Sequence, residues 1–430
     1  MNRFIRMASL AALVLALGTT AFAQAPAEVA PDFLKNAKHL HPTGAVPQKN
    51  SNLNFNFNFG SNGGGIPGVD SIVNFTGRFN ANGLAVDGVT SQNLWFYSMV
   101  GNPPERGGIT FIQSPIIPVS LNLLAADGSV ALHYDVSPFV LPTLLSPIYT
   151  PAQFSSSPFP TQWADADLRA TFFHSMREDW HTLLIPEVKR TVTMSLPSGS
   201  YAYALNSDGS CCLFVLVDLF EFENLLFPAT GVPVDNTTLI GAAELSGEMT
   251  TKEITTFLFP NTYLFEGSTA NCCILGFHTF DQELGTPQNG NLPRDYMMIY
   301  ASYISPGLFG AGFQDVAALS HEMAETINDP FVGFDFVHNI TPWWFEGSQC
   351  QDLMEVGDVI ESLPANVTIP VKNIFGQTYS LQNVALLQWF ELESPSRALG
   401  GAYSYPNAAS LPALSPDVPD PATNPFCQFL

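Results

Sequence analysis

One short stretch of the chain combines the residue types that bind metal ions and move protons. Residues 315–330 read DVAALSHEMAETINDP and contain His321, Glu322 and Glu325. His321 and Glu325 are four residues apart, so on an α-helix they project from the same face. An imidazole nitrogen and a carboxylate oxygen placed in this way can both reach one zinc ion at about 2 Å.

Glu322 follows the histidine directly and has a different predicted role. One position further round the helix, it would lie beside an open coordination position and accept a proton from zinc-activated water. This is the logic of His-Glu-x-x-His enzymes, with Glu325 in place of the second histidine. One competing interpretation is a solvated helix face with a lone histidine. Another is that His321 and Glu325 form a simple hydrogen-bonded pair.

A third metal ligand is expected downstream, in the segment QCQDLMEVGD at 349–358. Three carboxylates lie within its last seven residues, although charged residues are only 12% of the chain. The candidates, in order of preference, are Glu355, Asp358 and Asp352. The alternative is an ordinary acidic loop whose carboxylates cap turns.

His278 is a separate candidate, in the apolar run CCILGFHTF at 272–280. On a strand beside the active-site helix, it would orient a substrate or stabilise an oxyanion. A histidine of the core that is satisfied by its neighbours is the competing interpretation.

The elements that must position these residues follow from hydrophobic periodicity. A helix is predicted from about 315 to 328, ended by Pro330, with an apolar stripe opposite His321 and Glu325. Two further helices are predicted at about 161–185 and 247–258. Strands are predicted at the apolar or alternating runs IVNFTGRF, LWFYSMV, SVALHYDV, RTVTMSL, YAYALN, CCLFVLVDLF, CCILGFHTF and YMMIYASYI.

In three places the sequence resembles the exordium, or phosphate-induced, protein family and its bacterial relatives. These are SHEMAETINDP at 320–330, EVGD at 355–358, and GFHT at 276–279 ahead of the helix. The resemblance covers about 270–360. It implies a layout similar to zincin metallopeptidases, and it supports a metal site more than a defined reaction. Relatives commonly carry a cysteine directly after the acidic block that corresponds to EVGD at 355–358, where this chain has Val359 and Ile360.

Composition and charge limit the compartment and the partners. Arg3 and Arg6, the apolar run LAALVLAL and Ala21-Phe22-Ala23 predict a secretory signal peptide at 1–23. Without it the chain has 13 basic and 38 acidic residues, a formal charge of −25. This balance argues against nucleic-acid partners and anionic membranes. No uninterrupted apolar run reaches transmembrane length, so no membrane anchor is predicted and a secreted or periplasmic protein is expected.

Six cysteines, at 211, 212, 272, 273, 350 and 427, allow three disulfides in an exported chain. Bridges between the two vicinal pairs, and one between Cys350 and Cys427, are the favoured arrangement. Buried free thiols are the alternative.

Together these features predict an α+β fold, with a β-rich N-terminal part followed by a zincin-like mixed sheet and an active-site helix. The expected function is a zinc-dependent hydrolase of metallopeptidase type, acting on a peptide, a protein, or a wall or matrix polymer. The alternatives are a non-enzymatic wall- or matrix-associated protein and a carbohydrate-active or carbohydrate-binding protein that uses Trp343 and Trp344. The predicted divisions are a signal peptide (1–23), a low-complexity linker (24–66), a β-rich region with one long helix (67–195), a metal-site domain (196–395) and a Pro-rich wrap (396–430).

Overall fold

The computed structural model describes residues 72–80, 94–205, 212–228, 234–283, 287, 294–309, 312–332, 343–345, 349–351, 354–361, 367–391 and 393–414. The predicted signal peptide and linker lie outside these ranges, and so do Asp352 and Cys427, which leaves the predicted Cys350–Cys427 bridge undescribed. Among the described helices, none is both long enough and apolar enough to cross a membrane.

The fold is α+β, as predicted. The helices are α1 (Ser137–Leu144), α2 (Trp163–Thr171), α3 (Leu219–Leu226), α4 (Leu239–Ser246), α5 (Ala317–Asn328), α6 (Asp358–Glu361) and α7 (Leu387–Phe390). The first strands are β1 (Asn74–Asn80), β2 (Leu94–Val100), β3 (Ile109–Leu124), β4 (Val130–Tyr134), β5 (His181–Val188), β6 (Val192–Leu196), β7 (Tyr201–Leu205), β8 (Leu213–Asp218), β9 (Ile254–Pro260) and β10 (Thr262–Phe265). The remaining strands are β11 (Cys272–Ile274), β12 (Gly276–Glu283), β13 (Arg294–Tyr303), β14 (Trp343–Phe345), β15 (Gln349–Gln351), β16 (Thr368–Lys372), β17 (Thr378–Gln382), β18 (Val384–Ala385) and β19 (Ser404–Tyr405).

A seven-stranded mixed sheet forms the centre of the molecule. Its strands run in the order β12-β13-β9-β3-β4, and β5 and β6 also pair with the long strand β3. β13, β9 and β3 are parallel, whereas β12 runs antiparallel to β13. A second sheet has the order β11-β10-β8-β7, and β1-β2, β14-β15, β16-β17 and β18-β19 form separate pairs.

Both faces of the central strands are buried, which explains their nearly continuous apolar sequences. In β13, Ile299 belongs to the core that contains α5, whereas Met298 and Tyr300 belong to the core shared with α3 and α4. His278 lies opposite Ile299 in the β12–β13 register, and Phe277 lies opposite Tyr300. Because side chains alternate along a strand, His278 is directed toward α5.

The central sheet contains strands from both sides of the predicted domain boundary at 195/196. β3 and β5 come from the first predicted region, and β9, β12 and β13 come from the second. The residues before 195 therefore contribute directly to the sheet on which α5 packs.

The predicted helix at 161–185 is only half correct. α2 ends at Thr171, a turn follows, and β5 begins at His181. Trp163 and Trp180 nevertheless both enter the core that contains α5, so the apolar spacing reports burial and not a continuous helix.

The predicted helix at 247–258 is wrong. α4 ends before Gly247, which adopts a left-handed conformation, and the next element is β9. All seven residues of β9 (ITTFLFP) are buried. Short apolar runs buried on all sides lack a diagnostic period, and β-branched and aromatic residues favour the strand.

The predicted disulfides between the two vicinal pairs are wrong for Cys272 and Cys273, which bond to each other. The register gives the reason: Phe265 of β10 lies opposite both Cys272 and Asp218. Cys212 is also disulfide-bonded, but it precedes the other end of β8. At about 3.3 Å per residue it lies roughly 20 Å along the strand from Asp218, whereas a disulfide joins Cα atoms about 4.4–6.8 Å apart.

Asp167 provides a test of how buried acids affect stability. Its carboxyl is 1% exposed and accepts a hydrogen bond from Asn328 Nδ2 at 2.8 Å. Burial raises its pKa to about 7, and the hydrogen bond opposes that rise only in part. Because the folded-state pKa exceeds the unfolded value, Asp167 favours folding at low pH, and this contribution is lost as pH rises from about 4 to about 7.

We therefore expect Asp167→Asn to stabilise the protein at pH 8, by roughly 2–4 kcal/mol at about 1.4 kcal/mol per pKa unit. At pH 4 it should bring no such gain. Urea unfolding followed by circular dichroism at several pH values measures the difference. Asp179→Asn, at a side chain that is 60% exposed, is the control. A variant that loses stability equally at both pH values would contradict the prediction.

Candidate metal centre

α5 carries the central motif, and every one of its residues is buried. It packs against β12, β13 and β17, and also against α2. Two contacts hold Ser320: Trp163 Nε1 donates to its carbonyl at 3.2 Å, and Gln382 N donates to its Oγ at 2.8 Å. Asn328 is tied to Asp167 at the other end of the helix. The helix is therefore part of the core, and the competing interpretation of a solvated helix face is wrong.

His321 and Glu325 lie side by side, as their spacing predicts. His321 Nε2 is 3.0 Å from Glu325 Oε2. Both side chains are nearly inaccessible to solvent, with exposed fractions of 8% and 2%. Glu322 belongs to the same cluster of possible ligands as this pair.

Residues 355–358 (EVGD), the acidic block, contact α5 through the Glu325 carboxylate. Gly357 N and Asp358 N donate to Glu325 Oε1 at 2.9 and 3.3 Å, which fixes that carboxylate. Asp358 Oδ1 is 3.3 Å from His321 Nε2. Glu361 Oε1 is 3.2 Å from the other ring nitrogen, His321 Nδ1. Asp358 and Glu361 therefore place a carboxylate beside each ring nitrogen of His321.

His278 enters the site from β12. Its Nδ1 is 3.4 Å from Glu322 Oε2, 3.4 Å from Glu325 Oε2 and 3.9 Å from Glu355 Oε2. Gly276, on the same face of β12, makes room for this approach: a Cβ at that position would lie 2.7 Å from Glu322 Cγ. His278 is therefore a buried member of the cluster, with three carboxylates as neighbours.

The structure brings together six of the seven predicted site residues, His278, His321, Glu322, Glu325, Glu355 and Asp358. Glu355 lies on the side of His278, and Asp358 on the side of His321. Asp352 lies outside the described residues. Glu361 was missed; its position three residues after Asp358, on the same helical turn, was the available signal.

The titration behaviour of the cluster reflects burial opposed by charge. Burial lowers the pKa of His321 and His278, but neighbouring carboxylates outweigh it and raise both well above their ordinary value. Burial raises the pKa of Glu322 to about 7. Burial and the Glu325 charge raise the pKa of Glu355 well above its usual range. For Glu325, the two imidazoles outweigh burial and lower the pKa.

Carboxyl groups outnumber basic side chains in this cluster. Among the described residues, the ion pairs of Glu322, Glu325, Glu355 and Asp358 involve no basic side chain other than the two imidazoles. Ionised carboxylates are costly to bury without compensation. A divalent cation supplies that compensation, and the nitrogen and oxygen donors present are suitable ligands for one. The cluster can therefore hold a metal ion.

Gly357 allows a test of this fit. A Cβ at that position would lie 2.6 Å from His321 Nδ1, so Gly357→Ala should displace the ring. We expect metal affinity to fall by about 10–100-fold, as for other changes beside a ligand. Calorimetric titration of chelator-treated protein with zinc gives the affinity.

Gly276→Ala is the matched control, because it crowds Glu322 and not His321. It should leave metal affinity within a few-fold of the wild type. Equal losses in both variants would show that the effect is general disruption of the cluster.

No family model, curated protein or solved structure matches this chain. The resemblance to exordium proteins therefore rests on the motifs at 276–279, 320–330 and 355–358 and stays a prediction.

Proposed function

We propose that this chain is an exported zinc-dependent hydrolase of metallopeptidase type. The observation that carries the proposal is that two carboxylates approach one ring nitrogen: Glu325 Oε2 lies 3.0 Å and Asp358 Oδ1 lies 3.3 Å from His321 Nε2. Two donors that are each about 2.1 Å from one ion lie about 3.0 Å apart at a right angle and about 3.4 Å apart at the tetrahedral angle. Both separations from His321 Nε2 fall within this range.

The metal ligands in this proposal are His321, Glu325 and Asp358. Asp358 replaces Glu355, the preferred candidate from the sequence, because Asp358 lies close to His321 while Glu355 lies close to His278. A bound zinc ion would polarise a substrate carbonyl and lower the pKa of a water ligand to about 7.

Glu322 is the proposed general base. It neighbours the ligands, is 8% exposed, and has a pKa raised by burial to about 7, which suits proton transfer near neutrality. His278 Nδ1 lies 3.4 Å from its carboxylate, so the proposed base and the second imidazole are neighbours. Gly276 leaves the space into which the Glu322 side chain folds.

The rival function is a non-enzymatic secreted protein in which the same residues hold a structural metal or none. Deep burial of the cluster favours this rival, because each ring and carboxylate is at most 15% exposed. The carbohydrate alternative has less support: Trp343 and Trp344 lie on β14, paired with β15, but only their backbone is described.

The decisive variant is Glu322→Gln. An amide cannot accept the proton, so we expect hydrolysis of casein or a peptide library to fall by about 10²–10⁴-fold. Zinc content, measured by atomic emission, should stay at the wild-type level. Glu325→Gln should instead lose the zinc.

Glu223→Gln is the matched control, because Glu223 is half-buried and burial also raises its pKa to about 7, but it lies on α3. It should retain both zinc and activity. If Glu322→Gln empties the site, Glu322 is a ligand and its assignment as base is wrong. A wild-type protein that binds zinc but cleaves no peptide would favour the structural-metal rival.

A further inference from the structure

We propose that the cluster binds two divalent cations that share the carboxylate of Glu325. This inference rests on the proposed function, because it concerns the same residues and requires that they bind metal. One ion would be bound by His321, Glu325 and Asp358. The other would be bound by His278, Glu325 and Glu355.

The second ligand group has its own imidazole. His278 Nδ1 is 3.4 Å from Glu325 Oε2, the separation of about 3.4 Å expected for two donors of one tetrahedral ion. Glu355 Oε2 is 3.9 Å from the same nitrogen, and the ligand atoms of these three buried residues all lie within 4.8 Å of one another. A second ligand group therefore exists beside the first and does not use His321.

Glu325 is placed to bridge the two groups. Its Oε2 is 3.0 Å from His321 Nε2 and 3.4 Å from His278 Nδ1, so one oxygen serves both imidazoles. Its Oε1 accepts the backbone N–H groups of Gly357 and Asp358, which prevents the carboxylate from turning. A carboxylate fixed in this way presents one oxygen to two ions.

The charge of the cluster also favours two ions. Five carboxylates, those of Glu322, Glu325, Glu355, Asp358 and Glu361, lie within ion-pair distance of the two imidazoles or in their ligand groups. Metal binding requires deprotonated carboxylates and neutral imidazoles. In that state one divalent ion would offset two of the five formal negative charges and two ions would offset four, so a second ion reduces the buried charge that is left uncompensated.

The donor set indicates the kind of metal. Each group offers one nitrogen and at least two carboxylate oxygens, and no cysteine is among the ligands. Such sites suit zinc, manganese or ferrous iron. Two ions a few ångströms apart can stabilise the attacking and the leaving atom of a hydrolysis together, which one ion does less well.

Another group of acids must be distinguished in any test. Glu244, Asp281 and Glu283 also form a cluster of possible ligands, without a histidine. Asp281 and Glu283 alternate with His278 along β12 and are therefore directed to the other face of the sheet. A second ion bound there would mimic the expected stoichiometry.

Metal stoichiometry is the first measurement. Chelator-treated full-length protein is titrated with zinc and, after gel filtration, its metal content is determined by mass spectrometry. We expect two ions per wild-type chain, one in Glu355→Gln and two in Glu283→Gln. One ion in the wild type, or a loss of the second ion in Glu283→Gln but not in Glu355→Gln, would overturn the inference.

The second measurement needs no variant and shows whether the ions are adjacent. Wild-type protein loaded with two equivalents of manganese is measured by electron paramagnetic resonance. Two ions that share Glu325 should give a spin-coupled signal, which disappears in Glu355→Gln. The six-line signal of isolated ions in the wild type would overturn the inference even at a stoichiometry of two.

Folding of each variant is checked by circular dichroism, and His278→Gln replaces Glu355→Gln if the latter does not fold. His278→Gln should also bind one ion and give no coupled signal. One ion per chain with full hydrolysis would overturn this inference and leave the proposed function intact. Two coupled ions without hydrolysis would support the inference and count against the proposed function.

Discussion

The site depends on compensating several carboxyl groups that are buried against one helix and outnumber the basic side chains beside them. α5 presents His321, Glu322 and Glu325 inside the core, and the segment after residue 354 adds further carboxylates. Burial raises the free-energy cost of each uncompensated charge. The imidazoles and backbone N–H groups must therefore lie close to the carboxylates. The fixed carboxylate of Glu325 and the close approach at Gly357 are both consequences of this constraint.

The scaffold meets the constraint with rigid elements. His278 comes from a strand in the central sheet, His321 from a helix packed on that sheet, and Asp358 from a short helical turn whose first N–H groups face Glu325. Side-chain alternation in β12 and the i, i+4 spacing in α5 bring the two imidazoles toward the same carboxylate. Sites built on helices and strands hold their geometry better than sites built on loops.

The sequence was most informative where the relative positions of two residues follow from local helix or strand periodicity. The helix of His321 and Glu325, the strand of His278 and the α+β class followed from periodicity. Asp358 was the second choice for the third ligand, because its separation from His321 depends on how the 36 intervening residues fold back. The helix predictions at 161–185 and 247–258 failed where the chain forms β5 and β9. Burial from several sides removes the alternation that distinguishes a strand from a helix.

The long strand β3 has a kinetic consequence. Its sixteen residues pair with β4, β5, β6 and β9, and β9 lies more than a hundred residues further along the chain. Until those partners arrive, an apolar strand remains without its hydrogen-bonding neighbours, and loop closure over such distances is slow. The nascent chain therefore passes through a period in which self-association competes with folding, and a chaperone that shields β3 would raise the yield of native protein.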